Sequence, residues 1–286
     1  MIIGVSSVEY DRWGEEKYNK MREHGFLAVD YDMCKTDIIP FTLSDDEAKA
    51  YLLKEKQKIE DAGLVISQVH GPWNGAQNDG SAEGRSERMK YYKRSLWFCS
   101  ILGCKYWVIH PIIPHTDQDK KYPEKVQNTW DINIEFMSEL LKTAKEYDVV
   151  ICFENMPMPN FCLGSPQDIL RFVEEINDEN FKICFDTGHA TMFKSKSVGD
   201  HVRELGKHIK TFHIHDNNGW ADLHMLPFFG IIDWEDFGKS LKDIDFKDVF
   251  SFESQIYPKL NNEEYETLFK MKYKMVDRII NPQPEI

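Results

Sequence analysis

The stretch Ile183-Cys184-Phe185-Asp186-Thr187-Gly188-His189 is a short apolar run that ends in an acid and an imidazole. The same arrangement recurs along the chain, because several other strand-like runs also end in a polar side chain. Those runs end at His70, His110, Glu154, His213 and Glu253. In a barrel of parallel strands the C-terminal ends of all strands meet at one rim, and side chains from that rim form the site. The repeated pattern therefore predicts a fold and the position of a site together.

Eight strand candidates are spread along the 286 residues, and they are continuous apolar runs, as is typical of strands covered on both faces. They lie near 2–6, 26–30, 64–69, 106–110, 149–154, 181–186, 210–215 and 249–253. Helical patterns alternate with them, at 44–61, 83–102, 130–147, 165–176 and 262–280. No linker or change of composition interrupts this alternation. The sequence therefore predicts an α/β fold, a (β/α)8 TIM barrel that forms a single domain over residues 1–286.

The composition favours a globular protein with a small-molecule partner. The net charge is −13, from 48 acids against 35 Lys and Arg, and such a surface repels the phosphates of nucleic acids. No apolar run reaches the roughly 18–20 residues of a membrane span, and the N-terminus lacks the basic region of a signal peptide. The six cysteines include no Cys-x-x-Cys pair, so we expect reduced thiols and a cytoplasmic location. We expect no binding to nucleic acid or membrane, and the sequence is compatible with a homo-oligomer.

Three carboxylates and one imidazole, at the ends of the last four strands, form the central candidate site. They are Glu154, Asp186, His213 and Glu253. One glutamate at a strand end is more often a salt-bridge partner, but carboxylates that converge in a barrel mouth repel each other, and a bound cation removes that repulsion. The mostly oxygen donor set suits Mn²⁺, Mg²⁺, Co²⁺ or Zn²⁺ better than copper or an iron–sulfur cluster. The pattern therefore indicates a divalent metal.

Further polar and aromatic side chains surround that group. Candidates for additional metal binding or for orienting substrate hydroxyl groups are His70, His110, His189, Asp222 and His224, together with His215, which shares a strand face with His213. Candidates for lining a sugar pocket are Trp73, Asn74, Asn155, Trp220 and the run 227–229, although packing explains each of these equally well. No glycine-rich phosphate loop follows the seventh or eighth strand, and the nearby cations are Lys194, Lys196 and Lys259.

The chain resembles the xylose isomerase-like superfamily of sugar phosphate isomerases and epimerases, which also contains the class II AP endonucleases. The most specific segments are Phe-Glu-Asn at 153–155, Asp-Thr-Gly-His at 186–189, His-Ile-His-Asp at 213–216 and the stretch from Asp222 to Trp234. The resemblance implies a (β/α)8 barrel with a metal held by Glu154, Asp186, His213 and Glu253. It also implies that Glu154 and Glu253 act as acid and base on opposite faces of a ketose, with His189 at a substrate oxygen.

On this interpretation the protein is a metal-dependent isomerase or epimerase that moves a proton on a ketose or related polyol through an enediolate. The main alternative is a class II AP endonuclease-like phosphodiesterase with a multi-metal cluster. Its ligand positions all have counterparts here: His70, His110, Glu154, Asp186, His189, His213, Asp222, His224 and Glu253. The acidic charge, the lack of a basic patch and the loose Asp222-Leu-His224 segment argue against DNA. A third alternative is a protein that binds metal and sugar without turnover, which the two intact glutamates disfavour.

Overall fold

A computed structural model describes residues 1–73, 79–115, 118–254 and 259–281. Within them, eight parallel strands form one closed barrel in chain order, and the last strand pairs with the first. The strands are β1 (Ile2–Ser6), β2 (Ala28–Asp32), β3 (Val65–His70), β4 (Tyr106–Ile109), β5 (Val150–Glu154), β6 (Phe181–Asp186), β7 (Ile209–Ile214) and β8 (Val249–Phe252). This arrangement confirms the predicted (β/α)8 barrel. The largest displacement from the predicted strands is in β2, and it places Asp30 in the middle of that strand rather than at its end.

Helices surround the barrel between the strands. They are α1 (Lys17–Glu23), α2 (Ile39–Thr42), α3 (Asp45–Asp61), α4 (Ala82–Ile101), α5 (Pro123–Glu146), α6 (Pro166–Ile176), α7 (Thr187–Ala190), α8 (Val198–Leu205), α9 (Trp234–Asp243) and α10 (Asn262–Ile280). α5 begins earlier than the predicted position 130, because a proline is favourable in the first turn of a helix. None of the helices within the described ranges is long and apolar enough to cross a membrane. All six cysteines are free.

One side of the barrel interior is apolar. Four buried side chains pack together there, and we call them the inner apolar layer: Val108, Val150, Cys152 and Cys184. Strand register places Val108 beside Cys152 and Glu154 beside Cys184. Because alternate residues of a strand point to the same face, Cys152 lies directly below Glu154, and Cys184 directly below Asp186. The inner apolar layer therefore supports two of the carboxylates predicted to form the site.

The opposite side of the interior, formed by β2, β3 and β8, is polar. Asp30, Gln68 and Ser251 are buried there, and we call them the inner polar group. Register aligns Asp30 with Gln68, and Ser251 with His213. The Gln68 Nε2 donates to Asp30 Oδ2 over 2.8 Å, and the Ser251 Oγ donates to the same oxygen over 3.5 Å. The interior of such a barrel is ordinarily filled by branched apolar side chains. A buried carboxylate inside the barrel is therefore unusual and needs a physical reason.

Candidate metal centre and cavity

The four residues predicted as central ligands come together at the C-terminal rim of the barrel. Glu154, Asp186, His213 and Glu253 each offer one donor atom, and these atoms lie within 4.8 Å of one another. The His213 Nδ1 lies 3.0 Å from Glu154 Oε1 and 3.1 Å from Glu253 Oε2. Glu154 Oε2 is buried and forms no hydrogen bond in the described structure. Converging acids, one of them with a buried oxygen that accepts no hydrogen bond in the described structure, fit a bound cation.

The charges of this cluster are strongly coupled. Burial alone would raise the pKa of Glu154, but the imidazoles of His213 and His110 outweigh it and hold that pKa well below its usual value. Burial would likewise raise the pKa of Glu253, and His213 lowers it instead. For His213 itself, burial acts to lower the pKa, and neighbouring Cys184 and the two glutamates raise it well above the usual value. A protonated His213 and a divalent cation are thus alternative partners for the same carboxylates, and metal binding would release a proton.

Asp186 is held in place by the segment that follows it and by the adjacent strand. Its Oδ1 accepts from the backbone N of His189 over 2.6 Å, and the His215 Nε2 lies 2.9 Å from each of its carboxylate oxygens. The Asn155 side chain bonds both the N and the O of the Asp186 backbone. A Cβ at Gly188 would lie 2.0 Å from the His215 ring, so a glycine is required for this approach. The Asp-Thr-Gly-His segment therefore fixes the predicted ligand Asp186.

A second group of donors reaches Glu154 from β3 and the end of β4. The His110 Nε2 lies 3.2 Å from Glu154 Oε2, and the His70 Nε2 lies 3.6 Å from the same oxygen. One donor atom from each of the three residues lies within 4.8 Å of the others. Burial lowers the pKa of His110, in spite of the nearby Glu154, which favours the neutral imidazole that metals bind. The structure therefore brings together a further possible ligand set that shares Glu154.

A third group forms around Asp222 in the loop after β7. Its Oδ2 lies 3.2 Å from His189 Nε2 and 3.2 Å from His224 Nε2. Burial lowers the pKa of both histidines, but their acidic neighbours outweigh it and raise the pKa of His189 to about 9 and that of His224 to about 10. His215 stacks on His224 with ring centroids 4.0 Å apart. These four residues also offer donor atoms within 4.8 Å of one another.

The loop that carries Asp222 and His224 is anchored at both ends by Asp216. The Asp216 carboxylate accepts hydrogen bonds from the backbone N of Ile232 and from the Trp234 Nε1, the latter over 2.8 Å. A Cβ at Gly230 would lie 2.2 Å from Asp216 Oδ1, so a glycine lets the returning chain pass this carboxylate. The Gly … Ile-Asp-Trp part of the sequence pattern is therefore an anchor that holds the loop over the barrel.

Glu253 is held from the side of α10 by a buried ion pair. The Lys272 Nζ donates to Glu9 Oε2 over 2.5 Å, and Glu9 Oε1 accepts from the backbone N of Ser254 over 3.0 Å. Burial raises the pKa of Glu9 and lowers that of Lys272, against their mutual attraction. The pair fixes the backbone immediately after Glu253.

A cavity of about 360 Å³ opens above the metal-ligand candidates, a size that suits a small molecule. Its polar lining includes His70, His110, Glu154, His189, Asp222, His224 and Glu253. Trp73 lines the cavity, as predicted, and its ring centroid lies 5.4 Å from that of His110. Met156, Met158 and Ile113 add apolar surface. The site thus combines converging donors with faces on which the carbon skeleton of a ligand could pack.

Two residues predicted to contact a substrate do not line this cavity. Asn155 is fully buried, and both of its amide atoms bond the Asp186 backbone, so it positions a ligand candidate instead. Trp220 is 77% exposed and lies under the Lys194 ammonium, because Asn218 caps a turn that carries it away from the barrel mouth. His215 is also outside the lining, and its Nε2 lies against the Asp186 carboxylate. Asn74 lies outside the described residues.

The sequence patterns did not single out one part of the cavity lining, which α4 and the turn before it provide. The Arg88 Nε donates to Asp79 Oδ1 over 2.6 Å, and Asp79 Oδ2 accepts from the backbone N of Ile113. Tyr92 lies one turn further along α4, and its hydroxyl is 3.3 Å from Arg88 Nη1. One feature of the sequence could have revealed this part of the lining: Arg88 lies on the apolar stripe of a predicted helix. A buried arginine requires an internal partner, so its position there points to an interior site.

Comparison with known proteins agrees with this geometry. The family model for xylose isomerase-like TIM barrels matches residues 18–272. The chain is similar to the uncharacterized protein MJ1311 of Methanocaldococcus jannaschii, at 32% identity over 261 residues, 89% of this chain and 84% of that protein. It is also similar to an inosose isomerase of Bacillus licheniformis, at 29% identity over 195 residues, 65% of this chain and 68% of the isomerase. The crystal structure of a D-tagatose 3-epimerase-like protein superposes with a TM-score of 0.77 at 26% identity, covering 98% of each chain. The chain belongs to the xylose isomerase-like TIM barrel family.

Proposed function

We propose that this protein is a divalent-metal-dependent isomerase or epimerase of a ketose or related polyol. The observation that carries the proposal is the pair Glu154 and Glu253, which reach His213 Nδ1 from different strands at 3.0 and 3.1 Å and both line the cavity. Both carboxyl groups have lowered pKa values, so both are ionised at neutral pH and able to accept a proton. Similarity to an inosose isomerase and to a D-tagatose 3-epimerase-like protein supports the same reaction class.

Glu154, Asp186, His213 and Glu253 would hold the metal, and their donor set suits Mn²⁺, Zn²⁺, Co²⁺ or Mg²⁺. When bound, a divalent cation polarises the carbonyl and neighbouring hydroxyl oxygens of the sugar and so lowers the free energy of the enediolate. The protein side chains orient the sugar: Trp73 offers an aromatic face at the cavity wall, and Arg88 and Tyr92 also line the cavity.

Proton transfer falls to the two glutamates, and His189 binds a substrate oxygen. Glu253 removes the proton from the carbon next to the carbonyl. Glu154 takes a proton from solvent and delivers it either to the opposite face or to the adjacent carbon, and Glu253 then returns its proton to solvent. The His189 Nδ1 donates to the backbone O of Asn155 over 2.8 Å, which directs Nε2 toward Asp222 and the cavity. With a pKa of about 9, His189 is protonated at neutral pH and can donate a hydrogen bond to a sugar oxygen.

Solvent-deuterium exchange tests the proposal directly. The protein, loaded with Mn²⁺ or Co²⁺, is incubated in D₂O with D-tagatose, D-fructose and an inosose, and deuterium next to the carbonyl is followed by NMR. Metal-dependent incorporation into at least one of these compounds is expected. Absence of incorporation into all three would contradict proton transfer on this substrate class. A protein that only binds sugar would show heat of binding in calorimetry and no incorporation.

A second candidate function, a multi-metal phosphodiesterase of the AP endonuclease type, is favoured by the two further ligand groups around His110 and Asp222. Three donor sets at one barrel mouth are more than a single-metal isomerase requires. Against it, the one lysine or arginine among the described cavity residues is Arg88, which is paired with Asp79, and the chain carries a net charge of −13. Elemental analysis should find fewer than three tightly bound metals per chain. Incubation with duplex DNA containing an abasic site should give no incision at physiological salt and catalytic protein concentration. Efficient metal-dependent incision would reverse the order of the two candidates.

The expected location remains the cytoplasm, for which the six free thiols are the support. The oligomeric state is to be measured by sedimentation, since a homo-oligomer is compatible with the sequence.

A further inference from the structure

The inner polar group contains a carboxylate that the proposed reaction does not use. Asp30 is 2% exposed, and Gln68 and Ser251 are fully buried. Both hydrogen bonds to Asp30 end at Oδ2, and Asp30 Oδ1 and Gln68 Oε1 have no hydrogen-bond partner in the described structure. Its hydrogen-bond donors are a neutral amide and a hydroxyl. A buried carboxylate with only neutral donors is unfavourable for folding, so its presence suggests a function.

His213 connects Asp30 to the candidate metal centre. The His213 Nδ1 faces Glu154 and Glu253, whereas Nε2 lies 3.6 Å from Asp30 Oδ2. This separation is longer than a hydrogen bond, and Nε2 has no hydrogen-bond partner among the described residues although the ring is fully buried. The two ring nitrogens therefore face two different carboxylate environments, one at the barrel mouth and one inside the barrel.

Chemistry then assigns the two nitrogens different roles. An imidazole that binds a metal through Nδ1 must carry its remaining proton on Nε2. A buried N–H without an acceptor is unfavourable, and metal-bound histidines are normally oriented by an acceptor on the second nitrogen. We propose that Asp30 is a positioning residue whose carboxylate accepts a hydrogen bond from the Nε2–H of His213 and thereby selects the ring tautomer and orientation that present Nδ1 to a divalent metal. This proposal rests on the metal centre proposed above and adds a residue to it.

Gln68 and Cys184 have subordinate parts in this arrangement. Gln68 lies on the neighbouring strand β3, and its side-chain amide donates a hydrogen bond to Asp30. This bond orients the Asp30 carboxylate. The Cys184 thiol is a competing neighbour of His213, because donor atoms of Glu154, Cys184 and His213 lie within 4.8 Å of one another. A thiol is a weak hydrogen-bond acceptor compared with a carboxylate, so Asp30 is the stronger partner for Nε2–H.

Metal affinity measured on single variants tests the proposal without reference to activity. The full-length protein and the variants Asp30→Asn and Asp30→Ala are stripped of metal, and the Kd for Mn²⁺ and Co²⁺ is measured by competition with a chromogenic chelator. We expect Asp30→Ala to weaken binding by roughly 10–100-fold, the usual range for losing such an acceptor. Asp30→Asn should fall between Asp30→Ala and wild type, because its amide oxygen can still accept. The visible spectrum of bound Co²⁺ should change in both variants.

Matched controls separate positioning from a structural role. Ser251→Ala removes the other contact to Asp30 Oδ2, and Cys184→Ala removes the thiol beside His213; both should bind Mn²⁺ like wild type. Urea unfolding of metal-free Asp30→Asn should show a stability equal to or above that of wild type, because an ionisable group leaves the interior. Wild-type Kd and Co²⁺ spectra in both Asp30 variants would overturn the positioning role. Wild-type protein that binds neither metal would instead remove the metal centre itself, and the positioning role with it.

Discussion

The two sides of the barrel interior are built from different kinds of side chain. On the side of β4, β5 and β6, the inner apolar layer packs below Glu154 and Asp186. On the side of β2, β3 and β8, the inner polar group lies near His213. Apolar packing holds a strand, but it does not orient an imidazole about its own axis. The difference indicates that the apolar side contributes to the stability of the fold, whereas the histidine candidate depends on a polar partner for its orientation.

The first test of this comparison is removal of metal, with the largest expected effect. Dialysis against a chelator should abolish deuterium exchange into the responsive ketose, because Glu154 and Glu253 alone do not stabilise the enediolate. Addition of Mn²⁺ or Co²⁺ should restore it. The near-ultraviolet circular dichroism of the metal-free protein should stay close to that of the loaded protein, since the apolar layer does not involve the metal. Full activity after exhaustive chelation, checked by elemental analysis, would contradict the metal centre.

The second test concerns the glutamate that follows β8. Glu253→Gln retains an oxygen for the metal but cannot accept a proton, so exchange should slow by roughly 10²–10⁴-fold. Metal content should fall less than activity, because Glu154, Asp186 and His213 remain. Glu235→Gln, an exposed acid at the start of α9, serves as the control and should behave like wild type. A fully metallated Glu253→Gln protein with wild-type exchange would show that Glu253 is only a ligand.

The third test addresses the apolar side alone. Val108 is fully buried in the inner apolar layer, so Val108→Ala should lower the free energy of unfolding by about 2 kcal/mol, measured in urea. Its Mn²⁺ affinity should stay at the wild-type value, in contrast to Asp30→Ala. Val65→Ala, at a position that is 51% exposed, should change the stability by less than about 0.5 kcal/mol. A loss of metal affinity in Val108→Ala would erase the distinction between the two sides.

The fourth test has the smallest expected effect. It concerns the loss of folding stability in acid that arises outside the barrel mouth. Burial lowers the pKa of His24, outside the barrel, to about 4, and its Nδ1 pairs with the Tyr10 hydroxyl at 2.9 Å. Because His24 is neutral when folded and protonates near pH 6.5 when unfolded, stability should decline as the pH falls from about 6.5 toward 4. The contribution should be on the order of 1 kcal/mol after allowing for solvent screening. Urea unfolding at pH 7 and pH 5 should show a shallower decline in His24→Gln, and an equal decline would exclude this histidine.

The sequence predicted the barrel because each strand leaves the same local trace, an apolar run that ends in a polar residue. All eight predicted strands are found, and the four central ligand candidates converge as expected. The roles of these residues remain proposals. What the pattern could not supply was the direction of side chains in loops. Trp220 follows a turn capped by Asn218, and that turn, rather than the preference of tryptophan for sugars, determines its position.

Asp30 and Arg88 escaped the sequence patterns for a related reason. Their importance depends on which face of an element they occupy, and a shift of β2 by two residues moves Asp30 from a strand end to the strand interior. Arg88 lies on a helix whose charged residues mostly face solvent. Its pairing with Asp79 and its place in the cavity lining become apparent only in the structure. Long-range partners of single charged residues carry no local signature.

The buried pair of Glu9 and Lys272 has a consequence for the order of events during synthesis. These two residues are 263 positions apart, one just after the first strand and the other in the last helix, yet together they fix the backbone beside Glu253. A nascent chain can form most strands and helices as they emerge, because neighbouring elements pack first. The carboxylate of Glu9, however, stays without its lysine until α10 has left the ribosome. The backbone beside Glu253 would therefore be fixed only after α10 has been synthesised, and a nascent chain that stops before α10 would lack this ion pair at the barrel mouth.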